Sequence, residues 1–166
     1  MTLADFTSPD LIVPRLRGQD SASVIQELSH ALHRGKCVPD MLPFYHAALN
    51  REFLGSTVLE PGLAFPHARL AGLNKLSFAL GRSERPLSWG ARMGQPVRLV
   101  FLLAVPATDS TQYLQIISGL ARFAKETRWM ASLHAASDCF QMFEVLQQVL
   151  LRGKSKPDST EEAVTR

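Results

Sequence analysis

One stretch limits what this chain can fold into more than any other: VRLVFLLAV, residues 97–105. Apart from Arg98 it is apolar throughout. A strand with one wet face alternates apolar and polar residues, and this one does not. Such a run needs cover on both faces, which predicts a central strand between two layers. It is far too short to cross a bilayer, which takes about 20 apolar residues as a helix.

The flanks supply the layers. Residues 1–18 read as a lead-in with a short strand at 11–13, stopped by Pro14. Val24, Ile25, Leu28, Ala31 and Leu32 share one face of a predicted helix over Ser21–Arg34, and Gly35 ends it. A second helix is expected from near Pro39, with Asp40 at its positive end, to Gly55, burying Met41, Phe44, Ala48 and Leu49. From Gly55 to Val105 the pattern shortens. Residues 63–65, 75–82 and 97–105 read as strands, parted by loops at Gly72, Pro86, Gly90, Gly94 and Pro96. After Pro106 helices return. One is expected over 110–126, capped by Asp109 or Ser110, with Tyr113, Leu114, Ile117, Leu120 and Ala121 inward. A short helix follows around 128–135. The last, after Asp138, carries Phe140, Phe143, Leu146, Val149 and Leu150. Helices, then strands, then helices predict an α/β fold, a three-layer sandwich with one mixed central β-sheet and helices on both faces. Residues 1–152 are expected to form a single domain, and the polar stretch 153–166 a disordered tail.

Composition excludes several classes. With 166 residues, 46% of them hydrophobic, the chain can bury a full core without disulfides or a structural metal. Cys37 and Cys139 have no paired spacing, which points to a reducing compartment, and the first residues lack the basic-then-apolar pattern of a signal peptide. A cytoplasmic protein is expected, with no transmembrane segment. The net charge is only +3, but between Pro61 and Thr108 stand Arg69, Lys75, Arg82, Arg85, Arg92 and Arg98 against Glu84 alone. Such a field favours an anionic group or an acidic partner; a solvated set of loop and edge arginines is the alternative. No nucleic-acid motif accompanies it, so no nucleic-acid partner is expected.

Among the histidines, His30 and His33 are three apart on the first helix, but no further ligands stand at metal spacing, so no metal is expected there. His46 and His134 read as structural. His67 differs. In LAFPHARLAG it follows an apolar strand and a proline, in a loop where α/β sheets meet ligands, with Arg69 two residues on. A neutral imidazole there is a competent nucleophile; a hydrogen-bonding turn residue is the alternative.

The stretch NREFLGSTVLEPGLAFPHARLAGLNK, residues 50–75, resembles the signature of the type-2, fructose/mannitol-type enzyme IIA domain of the bacterial phosphoenolpyruvate-dependent sugar phosphotransferase system. The elements that carry it are Arg51–Glu52, Ser56–Thr57, the run from Gly62 to His67, and Arg69. It continues through RPLSWGARMGQPVRLVFLLAVP, residues 85–106, and covers roughly residues 9–150. The resemblance implies that His67 accepts a phosphoryl group from the phosphohistidine of HPr or a relative. The group then passes to a IIB domain of a permease, or serves as a regulatory signal to a target protein, as in a nitrogen-regulatory-type member. No cofactor is implied. Arg51 matches the arginine beside the phosphate, and Arg69 the basic residue after the histidine. Thr57 could donate its hydroxyl to the phosphate, and Glu52 could orient Arg51 or an imidazole nitrogen; a turn residue and a helix-end ion pair are the alternatives. The family carries a second histidine after the central strand, and Tyr113 stands in its place here. The competing function is a non-catalytic regulatory or interaction module on the same scaffold.

Overall fold

A computed structural model describes residues 1–90, 96–109 and 111–152. Two short 3-10 turns, Leu3–Phe6 and Pro9–Leu11, lead into β1 (Ile12–Val13), then α1 (Ser21–Arg34) and α2 (Met41–Leu54). The strands β2 (Val58–Leu59), β3 (Leu63–Ala64), β4 (His67–Leu70), β5 (Ser77–Leu87) and β6 (Val97–Pro106) follow. Helices α3 (Gln112–Lys125), α4 (Thr127–Ala135) and α5 (Cys139–Leu146) close the order.

The predicted central strand is central. β6 pairs antiparallel with β5 on one side and parallel with β3 and β4 on the other, within the order β1-β5-β6-β3-β2. Its residues alternate between two cores, as period two demands. Leu99, Phe101, Leu103 and Val105 face α3, α4 and α5, whereas Val100, Leu102 and Ala104 face α1 and α2. Both faces are covered, so the sheet is the middle of three layers.

Several expectations need correction. His67 does not sit in a loop but opens β4. Leu63 pairs with Leu99 and His67 with Leu103, one constant offset, so β3 and β4 form one line along β6. Pro66 interrupts it because it has no N–H, yet its carbonyl still accepts from Leu103 N at 2.9 Å. Pro86 is not in a connecting loop either. β5 runs on to Leu87 through a register shift after Arg82, an irregularity that tolerates proline. α2 begins at Met41 rather than near Pro39 and places Pro43 in its first turn, where a missing N–H costs nothing. On α3 the buried face is Ile116, Leu120, Phe123 and Ala124, rotated from the expected one, and Leu114 is exposed. Phe123 anchors that face between Phe101 and Trp129. Phe140 and Leu150 are likewise exposed, while Met142, Val145, Leu146 and Val149 turn inward. Gly94, Arg92, Ser110 and the tail from 153 lie outside the described residues.

Two local devices position the site. Gly62 has φ 153°, and a Cβ there would stand 2.8 Å from Pro96 O, so the turn before β3 needs glycine. Asp109 Oδ2 accepts from Tyr113 N at 3.0 Å and fixes the first turn of α3.

Candidate functional site

Strand geometry brings the first two residues together. His67 pairs with Leu103 and Arg69 with Val105, so both side chains leave β4 on the face that packs against α3. Tyr113, in the first turn of α3, meets them. Its hydroxyl lies 3.4 Å from His67 Nε2, the two ring centroids are 5.1 Å apart, and the Arg69 guanidinium carbon stands 5.5 Å over the tyrosine ring. Arg69 is held by its Nη1, which donates to the carbonyls of Pro106 and Asp109.

The other imidazole nitrogen faces backbone. His67 Nδ1 is 3.4 Å from Phe65 O, and the Phe65 ring lies nearly parallel to the imidazole. A carbonyl can only accept, so this contact places the proton on Nδ1 and leaves a lone pair on Nε2, to which Tyr113 O–H donates. Burial holds the His67 pKa below its ordinary 6.5. The Phe65 hydrogen bond opposes that shift, the Arg51 charge reinforces it, the Glu52 carboxylate opposes it, and Arg69 reinforces it. At neutral pH the ring is therefore uncharged and its Nε2 nucleophilic. Burial raises the Tyr113 pKa, with Arg51 and Arg69 acting against it. Its hydroxyl thus stays a neutral donor.

Behind the histidine lies a buried carboxylate that apolar patterning could not find. Phe44, Ala48 and Glu52 follow one another at four-residue spacing on the buried stripe of α2, and Glu52 is only 9% exposed. Its Oε1 accepts from Thr57 N at 2.9 Å and from Trp89 Nε1 at 2.8 Å, and its Oε2 accepts from Thr57 Oγ1 at 2.7 Å. Thr57 Oγ1 in turn accepts from Phe65 N at 3.2 Å. Thr57 thus spends its proton on Glu52 and its lone pair on the backbone beside His67. Glu52 orients Thr57 and Trp89 directly, and reaches the imidazole through Phe65 rather than by touching it. Trp89 is the member that sequence reasoning missed. It lines, with Glu52, Phe53 and Ser56, a groove of about 750 Å³.

Arg51 lies in the last turn of α2, on the opposite layer. It is exposed, and its Nη1 donates to Gly55 O at 3.0 Å. Its charge acts on both His67 and Tyr113. The basic run is otherwise dispersed. Arg82 Nη1 donates to the carbonyls of Leu133, His134 and Ala136 at the end of α4, and Arg98 Nε to Ser83 O. Of that run among the described residues, it is Arg69 whose charge acts on His67. His33 Nδ1 donates to Val38 O at 3.3 Å. Among the described residues no group of three His, Cys, Asp or Glu side chains could hold a metal, and no helix is long and apolar enough to cross a membrane.

Residues 5–149 match the family model described as phosphoenolpyruvate-dependent sugar phosphotransferase system, EIIA 2. The chain belongs to that family. Among its EIIA 2 relatives, a "Nitrogen regulatory protein" of Bradyrhizobium diazoefficiens is 30% identical over 146 residues, covering 88% of this chain and 95% of the relative. The fructose-specific EIIABC component of Bacillus subtilis is 28% identical over 121 residues, or 73% of this chain, which spans only 19% of that longer protein. In structure, the nitrogen regulatory protein IIA-Ntr from Neisseria meningitidis superposes with a TM-score of 0.79 at 27% identity, over 87% of this chain and 98% of that one. IIA mannitol from Escherichia coli, at 19% identity and a TM-score of 0.72 over 84% and 97%, shares the EIIA fold. The matched span contains Arg51, Glu52, Thr57, His67, Arg69 and Tyr113.

Proposed function

We propose that this protein is a phosphoryl carrier whose acceptor atom is Nε2 of His67. The observation that carries the reading is the setting of the imidazole: Nδ1 stands 3.4 Å from the Phe65 carbonyl, Nε2 stands 3.4 Å from the Tyr113 hydroxyl, and burial favours the neutral ring. The Nε2 lone pair attacks the phosphorus of a donor phosphohistidine. A new N–P bond forms as the donor's N–P bond breaks, and that electron pair returns to the donor ring. Nδ1–H stays on Phe65 O, which stabilises the positive charge that the ring gains. Such a transfer asks the protein for in-line positioning and for cover of the equatorial oxygens. Arg51 and Arg69 bring charge from two sides, and Tyr113 turns its O–H from Nε2 to a phosphoryl oxygen.

The donor is a phosphohistidine carrier of the HPr kind. Phe53 and Leu54, 91% and 84% exposed, follow Arg51, and Leu114, 63% exposed, follows Tyr113. They offer apolar anchors on two sides of the histidine, as a docking face does. A fold relative is described as a complex of enzyme IIA with phosphorylated enzyme IIB of the mannitol system, and a IIB domain is the corresponding acceptor class here. Coverage of nearly the whole length of a nitrogen regulatory protein favours a regulatory use of the phosphate, in the cytoplasm. Residues 1–152 then act as one domain.

Incubation with phosphoenolpyruvate, enzyme I and HPr tests the reading. The expected product is one acid-labile phosphoryl group on His67, absent from His67→Ala. An unmodified wild-type protein would support the interaction module instead. Undiminished yield in the mutant would move the acceptor to another histidine.

A further inference from the structure

Trp89 is buried, and the one polar atom of its side chain is spent on Glu52. We propose that Trp89 is a positioning residue for His67, acting through Glu52, Thr57 and Phe65. This deepens, and rests on, the assignment of His67 as acceptor.

The chain of contacts is continuous. Trp89 Nε1–H donates to Glu52 Oε1 at 2.8 Å; Thr57 O–H donates to Glu52 Oε2 at 2.7 Å; Phe65 N–H donates to Thr57 Oγ1 at 3.2 Å. Phe65 O then accepts from His67 Nδ1 at 3.4 Å. The Glu52 step sets the direction of the Thr57 hydroxyl, and the backbone groups of Phe65 carry the position on to His67. Glu52 as a carboxylate can only accept, so Thr57 must give it the proton and turn a lone pair to Phe65. Phe65 N–H divides between that lone pair and the Thr57 carbonyl, both at 3.2 Å, and the carbonyl across the Phe65 Cα, in the next peptide, faces His67 Nδ1.

The last link is long, so it is the one most easily lost. A peptide shift of a few tenths of an ångström at Phe65 takes it beyond hydrogen-bond range. Glu52 has little freedom to absorb a missing donor, because a buried carboxylate left short of partners either turns or recruits water or a proton. Without the indole N–H, Glu52 re-orients, the Thr57 hydroxyl follows, and Phe65, left with the Thr57 carbonyl alone, shifts at its Cα and moves its own carbonyl. The imidazole then populates the other tautomer, with the proton on Nε2, which cannot attack phosphorus. Trp89 also lines the groove beside Phe53, so its tie sits where a docked partner would bear on it.

Trp89→Phe keeps a ring of related shape and deletes only the N–H. The direct readout is nitrogen NMR of His67 in the unphosphorylated protein, which reports tautomer and pKa whether or not transfer occurs. The Nδ1–H fraction should fall, and the pKa should drop further below 6.5, because the Phe65 bond that raises it weakens. Phosphorylation by HPr should slow roughly tenfold, about the loss of one buried hydrogen bond. Glu52→Gln should perturb the same tautomer ratio, and the double variant should be no worse than the more affected single one. A lower melting temperature with an unchanged tautomer ratio and pKa would make Trp89 a packing residue and overturn the proposal. If wild type takes no phosphate on His67 while the tautomer still shifts in Trp89→Phe, the carrier reading fails and the positioning link stands. If His67 is phosphorylated but Trp89→Phe changes neither tautomer nor rate, the reverse holds.

Discussion

His67 and Tyr113 carry the sharpest expectations at the scale of single residues. Because the His67 pKa lies below 6.5, the nucleophilic form persists through that pH and is lost only at lower values. The rate of phosphorylation by HPr should reach its half-maximal value only below pH 6.5; half-maximal rate at or above 6.5 would contradict this. In the proposed carrier Tyr113 offers the phosphate a neutral donor, and charge-assisted bonds are about twice as strong. Tyr113→His should therefore raise the rate or extent of phosphorylation, more so below about pH 7, and Tyr113→Phe should lower it. Equal rates in all three proteins from pH 6 to 8 would leave Tyr113 a packing residue. Much of this neighbourhood was legible in the sequence. A Pro-His pair after an apolar strand, with arginine two residues on, marks a rigid histidine beside a charge. The partners of Glu52 were not legible, because hydrogen-bond direction depends on which of several polar neighbours folding brings close. Trp89 stands 37 positions from Glu52, and no spacing rule connects them.

At the scale of elements, Arg82 shows how a charge that reads as surface becomes structural. Its Nη1 meets carbonyls at the end of α4 and its Nε donates to Pro14 O, so one side chain fastens β5 to the chain before α1 and to α4. Arg82→Met keeps the stem and strands those carbonyls. It should cost about 1–3 kcal/mol by denaturant unfolding while leaving transfer per folded molecule unchanged. Gly62→Ala should destabilise by a similar amount, about 1–3 kcal/mol, through the clash with Pro96 O and the strained φ. Wild-type unfolding midpoints in either variant would show that the contact relaxes cheaply. The longer elements followed from pattern, since α1 buries its apolar stripe as expected and β6 its whole run. The misplaced faces of α3 and α5 have one cause. Their ends carry apolar residues that stay exposed, Leu114 and Phe140, and a stripe counted from such an end is rotated. The two-residue β2 and the four-residue β4 are strands by pairing rather than composition, β2 with the adjacent β3 and β4 with the distant β6.

The whole molecule has a pH signature. His134, like His67, is held below 6.5, chiefly by burial, with Arg98 and Arg82 acting the same way. The unfolded chain therefore binds more protons than the folded one as pH falls past 6.5. The stability these histidines allow is complete above that value and is lost as pH drops through their folded values. Thermal melts at pH 7.5 should exceed those at pH 5.5, and His134→Gln should narrow the gap; a gap of unchanged size in that variant would clear His134 of any part in it.

The three layers have a last consequence. The two cores lie on opposite faces of the sheet, and the histidine is attended from both: the Arg51 charge acts on it from the α2 side, and Tyr113 meets it from the α3 side. The site works like a caliper whose jaws are mounted on different frames, with the sheet as its fixed bar. A loosened frame opens one jaw even when the loosening lies far from the opening. Distant, purely apolar losses such as Ile25→Ala in one core or Leu120→Ala in the other thus reach His67 by separate routes, and the proposed carrier would register the integrity of both halves of its fold each time it is charged.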